Sequence, residues 1–292
     1  MNSNEQKKEI RIPRVASIHD LSSFGRCALT VVIPALSSMG LQCVPIPTAL
    51  LSTHTGGFTD MYFEELTDRM ERISDHLSDV GVEFDAIYTG FLGSERQIGV
   101  VSDFIDRFSS PTCPVFVDPV MGDDGELYST YNAELVSGMK KLCEKADIIT
   151  PNLTEAFLLA DMPYSLDHTM TEAEALALCD LLSAKISEFS SAKTVITGLH
   201  FDHNRVGTYV CDGAAKRIYS APHVGRNYPG TGDLFASVLI GSVLRGESLY
   251  SAAVRASDFT REVIEYSLNF TTPTREGVAF EPLLYKLGGQ NV

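Results

Sequence analysis

The residues with the clearest chemical potential form a glycine-rich turn that leads straight into an apolar helical pattern. The turn consists of Gly230, Thr231, Gly232 and Asp233, and Leu234–Leu239 follows at once. Glycines let backbone N–H groups approach a ligand without a Cβ in the way. A helix start adds unpaired donors and the positive end of the helix dipole. The combination predicts an anion site, and phosphate is the anion that such sites usually hold.

Asp233 makes this turn more specific. A carboxylate at the mouth of a phosphate site is electrostatically unfavourable unless it takes part in the chemistry. We interpret Asp233 as a base that accepts the proton of an alcohol attacking the phosphate. The alternative is a tight turn before an ordinary helix, because short glycine motifs often occur by chance.

Two further segments carry oxygen ligands after predicted strands. Asp118 opens Asp118–Asp123, where its carboxylate could hold Mg²⁺ or could cap a loop turn. In the second segment, Asn152 and Glu155 have the spacing of a helix capping box. They could also lie near the metal and act through its waters, since Mg²⁺ usually keeps several. Both interpretations of this pair can hold together.

Other polar positions are weaker candidates. Asp20 follows the first predicted strand and could bind a polar substrate group. Thr48 and Ser52–Gly57 follow the second strand and form either an ordinary loop or a substrate wall. His200 and His203 have H-x-x-H spacing, but turn-forming residues surround them and no third ligand is evident, so a solvated loop is favoured over a metal site.

These residues need a scaffold, and the sequence alternates short β-type runs with longer helical patterns. The predicted strands are Val15–Ile18, Cys43–Ile46, Ala86–Thr89, Val115–Val117, Ile148–Thr150 and Thr194–Thr197, with a hairpin of Val206–Cys211 and Lys216–Ser220. The predicted helices are Thr30–Met39, Tyr62–Leu77, Gln97–Phe108, Ala133–Lys145, Leu153–Ala160, Thr171–Phe189, the helix after Gly230, and Leu249–Asn269. This alternation predicts an α/β fold of three layers, α/β/α, with a mostly parallel central sheet and an antiparallel hairpin near the C-terminal third.

In folds of this class, ligands bind beyond the carboxyl ends of the strands. One edge of the sheet should therefore carry the polar positions that come just after the predicted strands. They are Asp20, Thr48, Gly90, Asp118, Asn152, Thr197 and Gly198.

Composition bounds the possible partners. The chain has 38 acidic and 23 basic residues, for a formal net charge of −15. This balance argues against nucleic acid or an anionic membrane as a partner. An anionic cosubstrate would have to be held by local donors, metal ions and helix ends.

The chain of 292 residues, 44% of them hydrophobic, favours one domain over residues 12–288 after a polar extension of residues 1–11. The start of the chain does not have the pattern of a signal peptide, and no apolar run is long enough to cross a bilayer. Six scattered cysteines include no C-x-x-C pair, so they are interpreted as thiols of a cytosolic protein.

The ordered set of motifs resembles the ribokinase-like superfamily and, within it, the pyridoxal (pyridoxamine/pyridoxine) kinase family. The principal motifs are Val117–Gly122, Asp147–Asn152 and Gly230–Asp233, and the supporting stretches are Ser22–Gly25, Thr48, Ser52–Thr55 and Thr89–Ser94. The resemblance extends from about Arg14 to Leu287.

The resemblance implies a cytoplasmic homodimer that phosphorylates the hydroxymethyl group of a vitamin B6 vitamer with ATP and Mg²⁺; K⁺ is a further family expectation. Asp233 matches the catalytic base and contacts the substrate, and the backbone of Gly230, Thr231 and Gly232 matches the anion hole. Asp20 and Thr48 match substrate-pocket positions. The positions that match the metal site are Asp118, Asn152 and Glu155. Those that match the ATP site are Asp118, Thr150, Glu155, Thr197, Gly198, Ala221, Pro222, His223 and Val224.

The chain departs from the family pattern at three places. Asp20–Leu21 stands where these kinases commonly carry Ser-His, and Gly25–Ala28 stands in place of a Gly-x-x-Gly-Asn. Thr197 replaces a lysine of some relatives. Three alternatives stay open: a hydroxymethylpyrimidine kinase, a ribokinase-type sugar kinase, and a catalytically weak binding protein on the same scaffold. The sugar kinase is disfavoured because no early lid insertion is visible, and the binding protein because the base and the Gly-Thr-Gly turn are intact.

Overall fold

The computed structural model describes residues 11–128, 130–165, 169–201 and 204–288. The strands in these ranges are β1 (Arg14–Phe24), β2 (Gln42–Thr53), β3 (Phe63–Glu65), β4 (Ala86–Thr89), β5 (Val115–Val117), β6 (Gly122–Asp123), β7 (Glu126–Leu127), β8 (Ile148–Ile149), β9 (Lys193–Phe201), β10 (Arg205–Asp212) and β11 (Ala215–Pro222). The helices are α1 (Leu29–Ser38), α2 (Thr67–Asp79), α3 (Glu95–Phe108), α4 (Ala133–Cys143), α5 (Leu153–Leu159), α6 (Glu172–Ile186), α7 (Thr231–Leu244) and α8 (Leu249–Ser267). Two 3₁₀ turns, Thr274–Glu276 and Glu281–Lys286, follow α8.

The main sheet has the strand order β11-β10-β9-β8-β5-β4-β1-β2-β3. The six central strands, from β9 to β2, run parallel. The hairpin β10–β11 and the short strand β3 add antiparallel pairs at the two edges. The predicted mostly parallel α/β sheet with a late antiparallel hairpin is therefore confirmed.

Helices cover both faces of this sheet. On one face, α1, α7 and α8 enclose a buried apolar cluster with β1, β4 and β5. On the other face, α2, α3 and α4 pack over a second cluster. Every residue from Leu234 to Ser242 of α7 is buried, so this helix is covered on all sides. Such a helix has little freedom to shift, and the residues at its N-terminus are held accordingly.

The prediction of a helix over Tyr62–Leu77 was wrong in its first part. Phe63–Glu65 forms strand β3, and α2 begins only at Thr67. Phe63 pairs with Leu51 of β2, and Tyr62 donates its N–H to the Ser52 hydroxyl at 2.9 Å. The apolar spacing also fitted a helix, but pairing with an open sheet edge satisfies the backbone in this stretch.

Three of the parallel strands, β1, β2 and β9, are longer than the sequence indicated. β2 runs to Thr53, past the predicted end at Ile46, and therefore includes Thr48. Antiparallel pairing with β10 extends β9 past Thr197 and Gly198 to Phe201. Asp20 likewise lies inside β1, so Asp20, Thr48, Thr197 and Gly198 lie within strands, not after them.

Two local predictions hold. Asn152 and Thr171 each open a helix with a complete capping box, in which Glu155 and Glu174 bond back to the cap. Cys27, Cys113, Cys143 and Cys179 are buried, while Cys43 and Cys211 are partly buried, and all six are free thiols.

Within the described ranges, no helix has the length and apolar character that a bilayer crossing would require. Residues 1–10, which make up most of the predicted extension, lie outside those ranges.

Candidate active site

A cavity of about 780 Å³ opens beyond the carboxyl ends of the central strands, and both Asp118 and Asp233 line it. Its volume lies in the range of small-molecule sites. Most positions predicted from the sequence line it: Asp118, Thr150, Asn152, Glu155, Thr197, Gly198, Ala221, His223, Val224, Gly230, Thr231, Gly232 and Asp233. The fold therefore brings together residues that are distant in the chain.

Three of the predicted site residues are not among the residues that line this cavity. Pro222 is exposed. Thr48 is fully buried, and its hydroxyl donates to the carbonyl of Phe91 at 3.0 Å. Asp20 is also buried, and its Oδ2 accepts a bond from the Ser22 hydroxyl at 3.0 Å. The structure thus gives Asp20 and Thr48 partners inside the protein.

The glycine turn owes its shape to Gly230. This residue has φ 79°, ψ 0°, and a Cβ placed on it would lie 2.0 Å from the carbonyl oxygen of Arg26. Only glycine fits so close to another backbone in that conformation. At Gly232, by contrast, a Cβ would meet nothing within 4 Å. The first turn of α7, whose N–H groups lack intrahelical partners, therefore lines the cavity with open space beside Gly232, as an anion site requires.

Asp233 is held from two sides. Its Oδ1 lies 2.9 Å from His19 Nε2, and its Oδ2 accepts the backbone N–H of Ala28 at 2.6 Å. Burial by itself would raise the pKa of this carboxyl, but the charge and hydrogen bond of His19, with the Ala28 N–H, lower it below its ordinary value. Asp233 is therefore ionised, as a proton acceptor must be.

The reasoning from sequence missed His19. Its Nδ1 lies 2.9 Å from Asp20 Oδ1, so the ring bridges two carboxylates. Burial lowers the pKa of His19, yet Asp233 and then Asp20 more than compensate and raise it to about 10. The available signal was an adjacent histidine and aspartate in a buried strand. The sequence analysis predicts a role for the aspartate alone.

The part of the cavity around Asp118 and Glu155, called the metal end below, contains two buried carboxylates. Burial, reinforced by the charge of Asp233, raises the pKa of Asp118 to about 7. Burial and the charge of Asp118 raise the pKa of Glu155 well above its ordinary value. Glu155 accepts the backbone N–H groups of Met121 at 3.0 Å and Asn152 at 2.7 Å. Glu155 thus completes the N-terminal cap of α5 and also lies beside Asp118.

This end of the site fits a hard divalent cation. Its donors are oxygens, and the repulsion between its buried carboxylates would be relieved by positive charge. The buried hydroxyl of Thr150 also lacks a hydrogen-bond partner of ordinary geometry. In the described ranges, no group of three or more His, Cys, Asp or Glu side chains could hold a metal by itself. A bound Mg²⁺ would therefore rely on water and ligand oxygens for most of its coordination.

The histidine motif gives a mixed result. His200 lies in β9 at the cavity, and its ring contacts that of His223 with the centroids 5.3 Å apart. Asp202 and His203 lie outside the described residues, so the H-x-x-H interpretation stays a prediction.

Comparison with known proteins identifies the family to which a chain with this arrangement belongs. Residues 32–276 match the model of the phosphomethylpyrimidine kinase family. A Bacteroides thetaiotaomicron protein provisionally described as a phosphomethylpyrimidine kinase superposes with a TM-score of 0.89 at 41% identity, over 98% of this chain and 97% of that one. A second crystal form of it was obtained with pyridoxal (TM-score 0.86, 42% identity, 95% of this chain and 96% of that one). Pyridoxal kinase from Lactobacillus plantarum has a TM-score of 0.84 at 27% identity, over 95% of this chain and 97% of that one.

Curated relatives point to two substrates. The Arabidopsis thaliana thiamine biosynthetic bifunctional enzyme TH1 is 26% identical over 260 residues, which cover 88% of this chain and 47% of that protein. Across three such relatives, thiamine biosynthetic enzymes and a pyridoxal kinase among them, this chain spans 33% to 63% of their length. This chain is thus similar both to thiamine biosynthetic enzymes and to a pyridoxal kinase.

Proposed function

Because the chain belongs to the phosphomethylpyrimidine kinase family, a group of phosphotransferases with alcohol acceptors, we propose that it is an ATP-dependent kinase for the hydroxymethyl group of pyridoxal, pyridoxine or pyridoxamine. The observation that carries the proposal is the position of Asp233. This ionised carboxylate stands at the N-terminus of α7, one residue after the Gly230–Gly232 turn, at the wall of a cavity that would accommodate both substrates.

In the proposed reaction, Asp233 accepts the proton of the acceptor hydroxyl while that oxygen attacks the γ-phosphorus of ATP in line. The new O–P bond forms as the bond from the γ-phosphorus to the bridging oxygen breaks, and ADP leaves with the electron pair of that bond. The N–H groups of the Gly230–Gly232 turn stabilise the charge on the transferring group. General base catalysis of this kind typically contributes ~10²–10⁴-fold in rate.

At the other end, Asp118 would hold Mg²⁺, with Glu155 and Asn152 acting through its waters. The bound ion would offset the charge of the phosphates. The role of the protein there is to present oxygens without adding a competing cation. Thr197, Gly198, Ala221 and Val224 line the same cavity and would contact the nucleotide.

Pyridoxal-type vitamers are preferred as acceptors because the protein with 42% identity was crystallised with pyridoxal. Hydroxymethylpyrimidine is the second candidate, and the description of the matching family favours it. Both acceptors present a primary alcohol on an aromatic nitrogen ring, so the same base and anion site would serve either one.

The test is ATP-dependent phosphorylation with Mg²⁺, with pyridoxal, pyridoxine, pyridoxamine and hydroxymethylpyrimidine compared side by side. The Asp233→Asn variant keeps the shape of the side chain and removes its basicity, so we expect turnover to fall by ~10²–10⁴. Circular dichroism and ATP binding serve as controls for its folding. Near wild-type turnover in this variant would refute the assignment of the base, and turnover of the pyrimidine alone would select the second candidate.

The resemblance also implies a homodimer and a requirement for K⁺, and we propose both. Light scattering of the purified protein tests the first, and assays with K⁺ replaced by Na⁺ test the second.

A further inference from the structure

We propose that His19 is a positioning residue for this reaction: its ring holds the Asp233 carboxylate in one orientation, and Asp20 orients the ring in turn. The inference rests on the proposed function, in which Asp233 is the base. It assigns Asp20 a role through His19, whereas the resemblance implied direct contact between Asp20 and substrate.

The contacts form a continuous chain. The Ser22 hydroxyl donates to Asp20 Oδ2 at 3.0 Å, and Asp20 Oδ1 lies 2.9 Å from His19 Nδ1. His19 Nε2 then lies 2.9 Å from Asp233 Oδ1. The backbone N–H of Asp20 also lies 2.9 Å from Nδ1. The two carboxylates favour a proton on each ring nitrogen, and His19 then donates to both of them. The chain of contacts joins the middle of β1 to the start of α7 across 214 positions of sequence.

The surrounding packing holds the ring in place. His19 is 3% exposed, and its ring lies 6.1 Å from that of Tyr88 on the neighbouring strand β4. On another side it packs against Gly90, where a Cβ would lie 2.0 Å from His19 Cδ2. Because the ring cannot move toward Gly90 or out to solvent, its two hydrogen bonds have fixed directions.

Asp233 is consequently held through both oxygens. His19 Nε2 engages Oδ1, and the N–H of Ala28 engages Oδ2 at 2.6 Å. A carboxylate held at two points cannot rotate, so its remaining lone pairs keep one direction toward the acceptor hydroxyl. Orientation of this kind is a recognised source of rate enhancement.

The charge of His19 has a second consequence. Asp233 faces Asp118 across the site, and the phosphates of ATP would add more negative charge. Without a cation these groups would favour protonation of Asp233 and abolish its function as a base. His19 therefore keeps the base ionised when the anionic cosubstrate is bound.

Other titratable groups face the same pair. His54 follows β2 and adds favourable charge to Asp233 when it is protonated. Cys27 lies beside Asp20 and Asp233, and Tyr88 lies beside Asp118 and Asp233. Burial, with those carboxylates, raises the pKa of both the Cys27 thiol and the Tyr88 hydroxyl far above neutrality. Cys27 and Tyr88 therefore stay neutral throughout the useful pH range.

The first experiment compares His19→Gln with wild type in kcat, in KM for ATP and in the pH profile of kcat. We expect kcat to fall by about 10–100-fold, as for the loss of a residue that orients a reacting group, with KM for ATP little changed. The acid limb of the profile should move to higher pH, because loss of the cation raises the pKa of Asp233. Asp20→Asn should also lower kcat and move the acid limb to higher pH, but by smaller amounts.

The matched control is His76→Gln, which changes a histidine on α2 that lies outside the cavity lining. It should leave kcat and the pH profile unchanged. A folded His19→Gln or Asp20→Asn protein with the wild-type acid limb and wild-type kcat would overturn the proposal.

A second readout does not depend on activity. In ¹⁵N spectra of histidine-labelled protein, the His19 signals, assigned by their loss in His19→Gln, should show both ring nitrogens protonated at pH 8. In Asp233→Asn and Asp20→Asn they should begin to titrate at lower pH. A neutral His19 at pH 8 in wild type refutes this inference. A doubly protonated His19 in a protein without kinase turnover refutes the proposed function and leaves the charged bridge standing.

Discussion

The two ends of the cavity each carry a buried carboxylate, and their pKa values move in opposite directions. At the base end, the pKa of Asp233 is lowered although burial opposes this, because His19 and the Ala28 N–H stabilise its charge. At the metal end, burial and the charge of Asp233 raise the pKa of Asp118 to about 7. The charge of His19 lowers the pKa of both carboxyls, but it helps to outweigh burial only at Asp233, which the ring contacts at 2.9 Å.

This difference teaches how the proposed chemistry divides between protein and ligand. A base must be ionised and oriented before the substrates arrive, so its partner is a residue of the chain. A metal site must bind and release a cation with the nucleotide, so its oxygens are left without one. Three predictions test this division, beginning with the largest expected effect.

Gly230→Ala should have the largest effect, at the base end. The new Cβ would overlap the carbonyl of Arg26, and alanine is strained at φ 79°. We expect a loss of about 1–3 kcal/mol in the free energy of unfolding and about 10²–10³-fold in turnover as the anion site distorts. Denaturant unfolding and steady-state assays measure the two quantities.

Gly232→Ala is the matched control, since its Cβ meets no atom of the protein within 4 Å. Its free energy of unfolding should stay within about 0.5 kcal/mol of wild type, while turnover falls because the methyl group enters the space for phosphate. Equal losses of stability in the two variants would show that the turn is not shaped by contact with Arg26.

At the metal end, Asp118→Asn should lower activity by about 10–100-fold and raise the Mg²⁺ concentration needed for half-maximal rate. It should also change the pH dependence of stability without Mg²⁺. The pKa of Asp118 is raised in the folded state, so the native protein binds more protons than the unfolded chain between pH 4 and about 7. The contribution of Asp118 to wild-type stability therefore falls as pH rises through that window.

Asparagine cannot titrate, so the variant should lose less stability between pH 5 and pH 8 than wild type. Some pH dependence of stability should remain in the variant, because the pKa of Glu155 is raised in the same direction. Urea unfolding at the two pH values makes the comparison. An unchanged pH dependence in Asp118→Asn would mean that this carboxyl is not the group that burial destabilises.

The smallest effect is expected at Ala28, whose N–H donates to Asp233. This residue has φ 51°, ψ −137°, a conformation that glycine adopts more readily. In Ala28→Gly, relief of strain is offset by loss of a buried methyl group and by a more flexible unfolded chain, so stability should change by less than about 1 kcal/mol. Activity should persist because the N–H is retained.

Ala28→Val, with a branched side chain in the same conformation, should lose about 1–3 kcal/mol of stability. Thermal unfolding of both variants measures the difference. If Ala28→Gly lost as much stability as Ala28→Val, the backbone conformation at residue 28 would not be what holds the Asp233 carboxylate.

The correct predictions from sequence came from local signals. The capping box of Asn152 and Glu155, the turn at Gly230 and the β-α alternation each depend on residues close together in the chain. The errors arose where a distant partner decided the outcome. Phe63–Glu65 became a strand because β2 offered an open edge, and β9 continued past Gly198 because β10 paired with it.

The sequence by itself determined the class of fold, and most of the positions that it predicted for a site line the cavity. Hydrophobic periodicity, turn residues and capping are local properties, so they can be read along the chain. Tertiary structure alone decided which groups meet there. It placed His19 against Asp233 across 214 positions and directed Asp20 and Thr48 to partners inside the protein. Such pairings depend on how the sheet and helices pack, and no local pattern of residues records that packing.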